Sequence, residues 1–372
     1  MLAVCFGAAA YGQVHISTSR TSLVLDASEG QKLMMLYYGD RLSEDDVRNL
    51  KAAGAFNAEA YPAYGMSGAS ETALAVTHSD GNMSTDLIVD NVEISDKDGG
   101  KLAKICLKDK VYPFYVNVCY RTYPDSEVIE TWSEIENREK KPVVLTEFYS
   151  GFLPLRRGDV WISHLYGSWA NEAKLAQEPL MPGMKVIKNK DGVRNSHTAH
   201  SEVMFSLDGK PMENSGRVIG AALCYSGNYE LKVDTDDSEY HRFFAGINPD
   251  NSSYRLASKE IFKTPELALT YSDEGMSGVS RNFHRWGRNH RIAHGDVPRK
   301  ILLNSWEGVY FDINEAGMDQ MMGDIASMGG ELFVMDDGWF GVKYPRLTDN
   351  CALGDWGVDR NKLPGGVSAL VK

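Results

Sequence analysis

The stretch Ile301 to Asp359 constrains this chain more than any other, and its centre is the run Leu332-Phe-Val-Met335 followed by Asp336-Asp337-Gly338-Trp339. Four apolar residues of strand length end abruptly on two carboxylates, a glycine and a tryptophan. Upstream, Ile301-Leu-Leu303 is a second apolar run that also closes on polar residues and a tryptophan, Asn304-Ser305-Trp306-Glu307. Between them, Met318, Met321, Met322, Ile325 and Met328 recur at three- and four-residue spacing, which predicts a helix over 315–328. Gly329-Gly330 ends it. The unit reads strand, helix, strand, and such a crossover demands a parallel pair.

In a parallel sheet, polar side chains at the C-terminal ends of strands reach the ligand. An Asp-Asp-Gly taken alone is an ordinary turn. Here Trp306 and Asp336/Asp337 stand at equivalent strand ends. Alternation would aim the two aspartates apart, and a bend at Gly338 would bring both onto one small polar molecule. Carboxylates for hydroxyl groups and indole faces for C–H surfaces are what a (β/α)-barrel offers a sugar.

Three separate blocks carry a resemblance: Asn304-Ser-Trp306-Glu307; Phe333-Val-Met-Asp336-Asp337-Gly-Trp339-Phe-Gly341; and Leu353-Gly-Asp355-Trp356-Gly-Val-Asp359 with Lys362-Leu-Pro364. In order and spacing they resemble the start of the catalytic barrel of family 36 glycoside hydrolases, the microbial α-galactosidases. Upstream, Tyr37-Tyr-Gly-Asp-Arg-Leu42, Ala60-Tyr-Pro-Ala-Tyr-Gly65, His164-Leu-Tyr-Gly-Ser-Trp-Ala170, Thr264-Pro-Glu266 and Tyr271 to His284 are similar to that family's N-terminal sandwich. Where the family often has an Asp-aromatic-Arg triplet after Tyr64-Gly65, this chain reads Met66-Ser-Gly-Ala-Ser-Glu71.

The 372 residues and 43% hydrophobic content suit two or three globular domains. A formal net charge of −12 argues against nucleic acid and anionic membrane partners. No apolar run approaches the roughly 20 residues of a membrane span. The five cysteines are scattered, without metal-ligand pairs, and the nine histidines are equally dispersed. Residues 1–13 are apolar and end on small residues, like the back of a secretory signal without its basic start. That predicts a periplasmic or secreted protein, with a cytoplasmic one left open.

From Val14 to about Asp296 the pattern is β-rich. Strands are predicted over 32–38, 72–77, 87–94, 111–120 and 128–137, separated by Asp-Gly turns, with a short helix over 43–53 opened by Ser-Glu-Asp-Asp. The fold class is therefore a large antiparallel β-sandwich over 14–296 followed by the first units of a (β/α)8 TIM barrel over 297–372. Arg281, His284, Arg285, Arg288, His290 and Arg291 fall on an amphipathic helix with Phe283, Trp286 and Ile292 interleaved. That helix is expected to pack on the barrel rather than bind phosphate. Gly275-Met-Ser277-Gly-Val279 is not a Gly-x-Ser-x-Gly elbow, since position 279 is valine.

The resemblance implies retaining hydrolysis of terminal α-linked galactose, in oligosaccharides of the raffinose or melibiose type, without metal or cofactor. It implies that Asp336 and Asp337 accept hydrogen bonds from galactose hydroxyls, that Trp306 and Trp339 pack on the ring, and that Trp169 comes from a sandwich loop reaching the sugar. A homo-oligomer is expected when the protein is full length. The family's nucleophile lies in a Lys-x-Asp-x-Asn stretch on a later barrel strand, with its acid/base beyond. Neither occurs in these residues, so both are expected beyond Lys372 and the chain alone is expected to be inactive. A galactosyltransferase of the raffinose- or stachyose-synthase type and a non-catalytic carbohydrate-binding protein remain alternatives.

Overall fold

The computed structural model describes residues 12–50, 58–65, 71–155, 157–194 and 197–371. Residues 1–11 of the signal-like segment 1–13 and the loop 66–70 lie outside them, while Gln13 already opens the strand Gln13–Ser17. The chain divides into two compact units, Met1–Ile292 and Ala293–Lys372.

The first unit is built from antiparallel strands. Its clearest signal is a meander of successive hairpins, Leu87–Lys97, Gly100–Asp109, Phe114–Arg121 and Val128–Asn137. The tight connection Asp98-Gly99 has positive φ at both residues, as a two-residue hairpin turn requires. Pro113, which cannot donate to a ladder, delays the third strand to Phe114, later than the predicted start at 111. Alternation along these strands puts one side in the core: Phe114, Val116 and Val118 are buried while Tyr115 and Asn117 are half-exposed.

The meander continues into a ten-stranded sheet, and a six-stranded sheet centred on Tyr229–Thr235, His241–Ile247 and Val143–Pro154 forms the other layer. Both contribute to one hydrophobic core. Phe205 of the larger sheet meets Phe243 of the smaller with ring centroids 4.9 Å apart. Face-to-face antiparallel sheets around a shared core make a β-sandwich. A four-stranded sheet at the start of the unit carries the short helix Glu44–Asn49. Ser43 caps it in a reciprocal box with Asp46, and the end of the predicted 43–53 helix, residues 51–53, lies outside the described residues.

The basic, amphipathic segment forms the helix Gly275–Trp286, extended by a π-helical turn over Gly287–Arg291. Expected to pack on the barrel, it packs on the ten-stranded sheet of the first unit. Trp286 joins Tyr123, Val128 and Ala268 in a small cluster and donates from its indole nitrogen to Glu130 at 3.1 Å. Arg291 pairs with the same Glu130 at 3.4 Å, so part of the basic cluster has a carboxylate partner within the fold.

The second unit holds the strand-helix-strand. Leu302–Asn304 and Leu332–Val334 pair in parallel, Leu302 opposite Leu332 and Asn304 opposite Val334. The helix between them spans Glu315–Ser327, capped by the Asn314 side chain accepting from Gly317 N–H at 2.8 Å. Of its methionine stripe only Met318 is fully buried, against Ile313 and Leu363. No helix among the described residues is long and apolar enough to cross a membrane.

Candidate active site

Parallel pairing places Asn304 and Asp336 at the same end of the two strands, and their side chains meet. The Asn304 amide donates to the Asp336 carboxylate at 2.7 Å, while Ser305 Oγ accepts from Asp336 N–H at 3.0 Å. The other Asp336 oxygen accepts from Asp337 N–H at 2.7 Å. Asp336 is thus fixed in direction by neighbours that carry no charge.

Asp337 is held differently. Arg346, almost fully buried, grips its carboxylate with two hydrogen bonds, Nε at 2.9 Å and Nη2 at 2.6 Å. Such a fork is a strong, directional pairing. The guanidinium beside it, with a further bond from Gly338 N–H, holds the Asp337 carboxyl below the usual carboxylate range. Arg346 is itself positioned on every side. Its Nη1 donates to the carbonyls of Asp349 and Cys351 at 2.8 and 2.6 Å, and the guanidinium carbon lies 5.3 Å and 5.5 Å from the ring centroids of Phe311 and Phe340.

The turn after the strand depends on glycine. Gly338 has φ of 103°, and a Cβ there would stand 2.9 Å from the Phe311 Cα. Lys362 locks the same turn, its ammonium donating to the carbonyls of Phe311 and Gly338 at 2.7 Å each and of Arg346 at 3.1 Å. Three donors meet three acceptors, and no hydrogen is left over. Asp355 accepts from the backbone N–H of Lys343 and Tyr344 at 2.7 and 3.1 Å, which orders the intervening loop.

The result is an open cavity of about 410 Å³ lined by Asp336, Asp337, Trp339, Arg346 and Trp356 among others. Trp339 also packs on the unit's small core. Trp356 is 62% exposed and rests on Phe340, with centroids 4.6 Å apart. Of the residues singled out in the sequence, Asp336, Asp337 and Trp339 share this cavity. Trp306 is not among its lining residues and stands edge-on to Tyr310 and Phe311, at 5.2 and 4.9 Å. Trp169 belongs to the first unit, 80% exposed after the strand Trp161–Tyr166.

Sequence reasoning missed Arg346, Trp356 as a wall, and the locking role of Lys362. A lone arginine nine residues after a paired aspartate, in a loop rich in glycine and turn formers, was the available signal for the first. Chemically the cavity offers two carboxylates of fixed direction beside indole faces. Among the described residues no group of three or more His, Cys, Asp or Glu side chains is placed to hold a metal ion.

Residues 31–257 match the Glycosyl hydrolase family 36 N-terminal domain, and residues 261–372 match Melibiase. The chain is 29% identical to the α-galactosidase AgaA of Geobacillus stearothermophilus over 97% of its own length and 53% of that protein. It is 32% identical to α-galactosidase C of Emericella nidulans, covering 72% of this chain and 36% of the relative. Crystal structures of AgaA variants in complex with raffinose and with stachyose superpose with TM-scores of 0.87 at 28% identity, over 95% of this chain and 53% of theirs. The chain thus spans about half the length of these relatives or less. A sandwich followed by a parallel strand pair ending in Asp336-Asp337, with both segments matched in the family's order, places this chain in glycosyl hydrolase family 36.

Proposed function

We propose that the protein carrying this chain hydrolyses terminal α-linked galactose from oligosaccharides of the raffinose and melibiose type, with retention of configuration. The observation that carries this reading is the pair of oriented carboxylates, Asp336 held by Asn304 and Asp337 by Arg346, facing one cavity beside Trp339. An ionised carboxylate whose direction is fixed accepts a sugar hydroxyl more strongly than a neutral group does. It also discriminates against a sugar whose hydroxyl is absent or misplaced, because the acceptor is then left unpaired. Asp336 and Asp337 receive galactose hydroxyls O4 and O6, and Trp339 covers the ring. Trp306 and Trp169 are assigned to the sugar on the family resemblance alone.

The stretch Lys-x-Asp-x-Asn does not occur in these 372 residues. We assign the nucleophile and the acid/base to the remainder of the whole protein. Segment 14–296 is taken as the sandwich domain and 297–372 as the opening of the barrel. A homo-oligomer and export from the cytoplasm complete the proposal. The test is to assay the whole protein on melibiose and raffinose with sucrose present or absent. Release of free galactose supports the hydrolase. Transfer to sucrose in preference to water supports a galactosyltransferase, and binding without turnover a non-catalytic protein.

A further inference from the structure

A second cavity, of about 210 Å³, opens at one end of the sandwich unit and belongs to none of the chemistry above. Its origin is a β-bulge. In the strand Met34–Asp40, Met35 pairs with Leu25 and Tyr37 with Val24, so Leu36 is an extra residue. The bulge shifts the alternation by one. Leu36 and Tyr37 therefore pack with Val24 and Val47 on one side, and Tyr38 turns to the main core with Met35.

The Tyr38 hydroxyl ends buried, with no hydrogen-bond partner among the described residues. A buried hydroxyl left in that state is costly. The cavity that Tyr38 lines is also lined by Tyr37, Asp40, Arg217 and Tyr271, with Met35, Leu155, Leu207 and Ile219 forming the apolar wall. The Tyr38 and Tyr271 rings lie edge to face, with centroids 6.5 Å apart. Tyr271 hydrogen-bonds to the Asp40 carboxylate. Tyr37 folds back to donate to the Asp40 carbonyl at 3.1 Å, and Gly39 leaves it room, since a Cβ there would stand 2.9 Å from its hydroxyl. Arg217 is fixed by Asp208 through Nε and Nη2.

We propose that this cavity is a second binding site, for a single neutral sugar ring. A carboxylate accepts, a guanidinium donates and a phenol does both, which matches neighbouring hydroxyls that are each donor and acceptor. Charges of both signs at the same mouth give a charged ligand no advantage. The tyrosine rings and aliphatic wall suit the C–H faces of a pyranose. The volume lies below the roughly 300–1,000 Å³ of pockets for drug-sized ligands, so one ring fits and a chain does not. This inference does not rest on the hydrolase reading, because every lining residue belongs to the sandwich unit.

The test is calorimetric titration of the whole protein carrying Asp336→Ala with D-galactose and with D-glucose. One saturable site of millimolar affinity is expected to remain. Adding Arg217→Gln should weaken it roughly tenfold or more, as loss of a charged hydrogen bond does. Tyr38→Phe should weaken it several-fold without lowering the thermal midpoint, since the hydroxyl has no protein partner to lose. If Arg217→Gln disturbs folding through Asp208, the Tyr38→Phe titration decides alone. The Tyr38 and Arg217 arms report on the cavity whatever Asp336→Ala does at the barrel strands. Absence of saturable heat, binding unchanged by the substitution at Tyr38 or Arg217, or a lowered midpoint in Tyr38→Phe would each overturn the proposal.

Discussion

Arg346 and Asp337 are joined by two parallel hydrogen bonds, Nε and Nη2 of one to the two carboxylate oxygens of the other, and the guanidinium is almost fully buried. Asp337 therefore has little rotational freedom, and its direction is set by a residue nine positions downstream. Replacing Arg346 with Lys keeps the charge and loses the fork. Arg346→Lys is expected to lower kcat/KM of the whole protein on α-galactosides at least tenfold, and Arg346→Met further. Steady-state kinetics of the two variants beside the parent check this. Parent-like values in both would remove Arg346 from the site.

The carboxylates themselves should matter more. A charged hydrogen bond lost from a fixed site costs roughly 2–4 kcal/mol. Asp336→Ala and Asp337→Ala should each reduce hydrolysis of α-galactosides about a hundredfold or more. Near-normal turnover in both variants would show that the pair does not hold the sugar.

Acid should act through Asp337. Its depressed pKa means the native state favours the ionised form, so the stabilisation is fully present above the ordinary aspartate value, near pH 4. It is lost as pH falls through the lower native value. Acid unfolding followed by tryptophan fluorescence should show this loss below about pH 4. In Arg346→Met the aspartate titrates closer to its ordinary value, and that part of the acid dependence should shrink. An identical acid profile in both proteins would contradict the coupling.

Retention requires two carboxyl groups about 5 Å apart on opposite sides of the scissile bond. Asp336 and Asp337 are consecutive, and one backbone N–H already ties them together. They cannot straddle a bond. Residues 1–372 alone should therefore release no p-nitrophenol from p-nitrophenyl α-galactoside, with an intact family member as positive control. Activity that survives purification and disappears on Asp336→Ala would place catalysis within this chain.

The barrel opening predicts poor behaviour of the chain alone. Ile301, Leu302, Leu332 and Met328 are 61%, 49%, 41% and 74% exposed around a two-stranded parallel sheet. Unpaired strand edges beside apolar surface recruit other chains. Size-exclusion chromatography of the 372-residue chain should show self-association, and a monodisperse monomer would count against it.

What could be read in the sequence was whatever has a short period or a local punctuation mark. The strand Val128–Asn137 was placed to the residue because its alternation runs uninterrupted between turns. The helix Glu315–Ser327 emerged within one residue at its end because Gly329-Gly330 stops it. The start of the helix after Ser43 was legible from Ser-Glu-Asp-Asp, because a capping side chain and an acidic first turn mark a helix N-terminus locally. Asp336 and Asp337 were visible as polar residues at a strand end. Arg346 was not, because its role comes from a loop that folds back nine residues, which no periodicity reports. Tyr38 was hidden by the bulge at Leu36, which moves its side chain to the face that strict alternation assigns to Tyr37.

Lys362 gives the site an order of assembly. The three carbonyls it gathers belong to Phe311, Gly338 and Arg346, all made before it during synthesis. Until Lys362 is in place, these three carbonyls have water in place of the ammonium donors they face in the finished fold. The end of this strand is thus tied by a residue 24 positions beyond Gly338 rather than by the strand itself, and a chain lacking Lys362 lacks that tie.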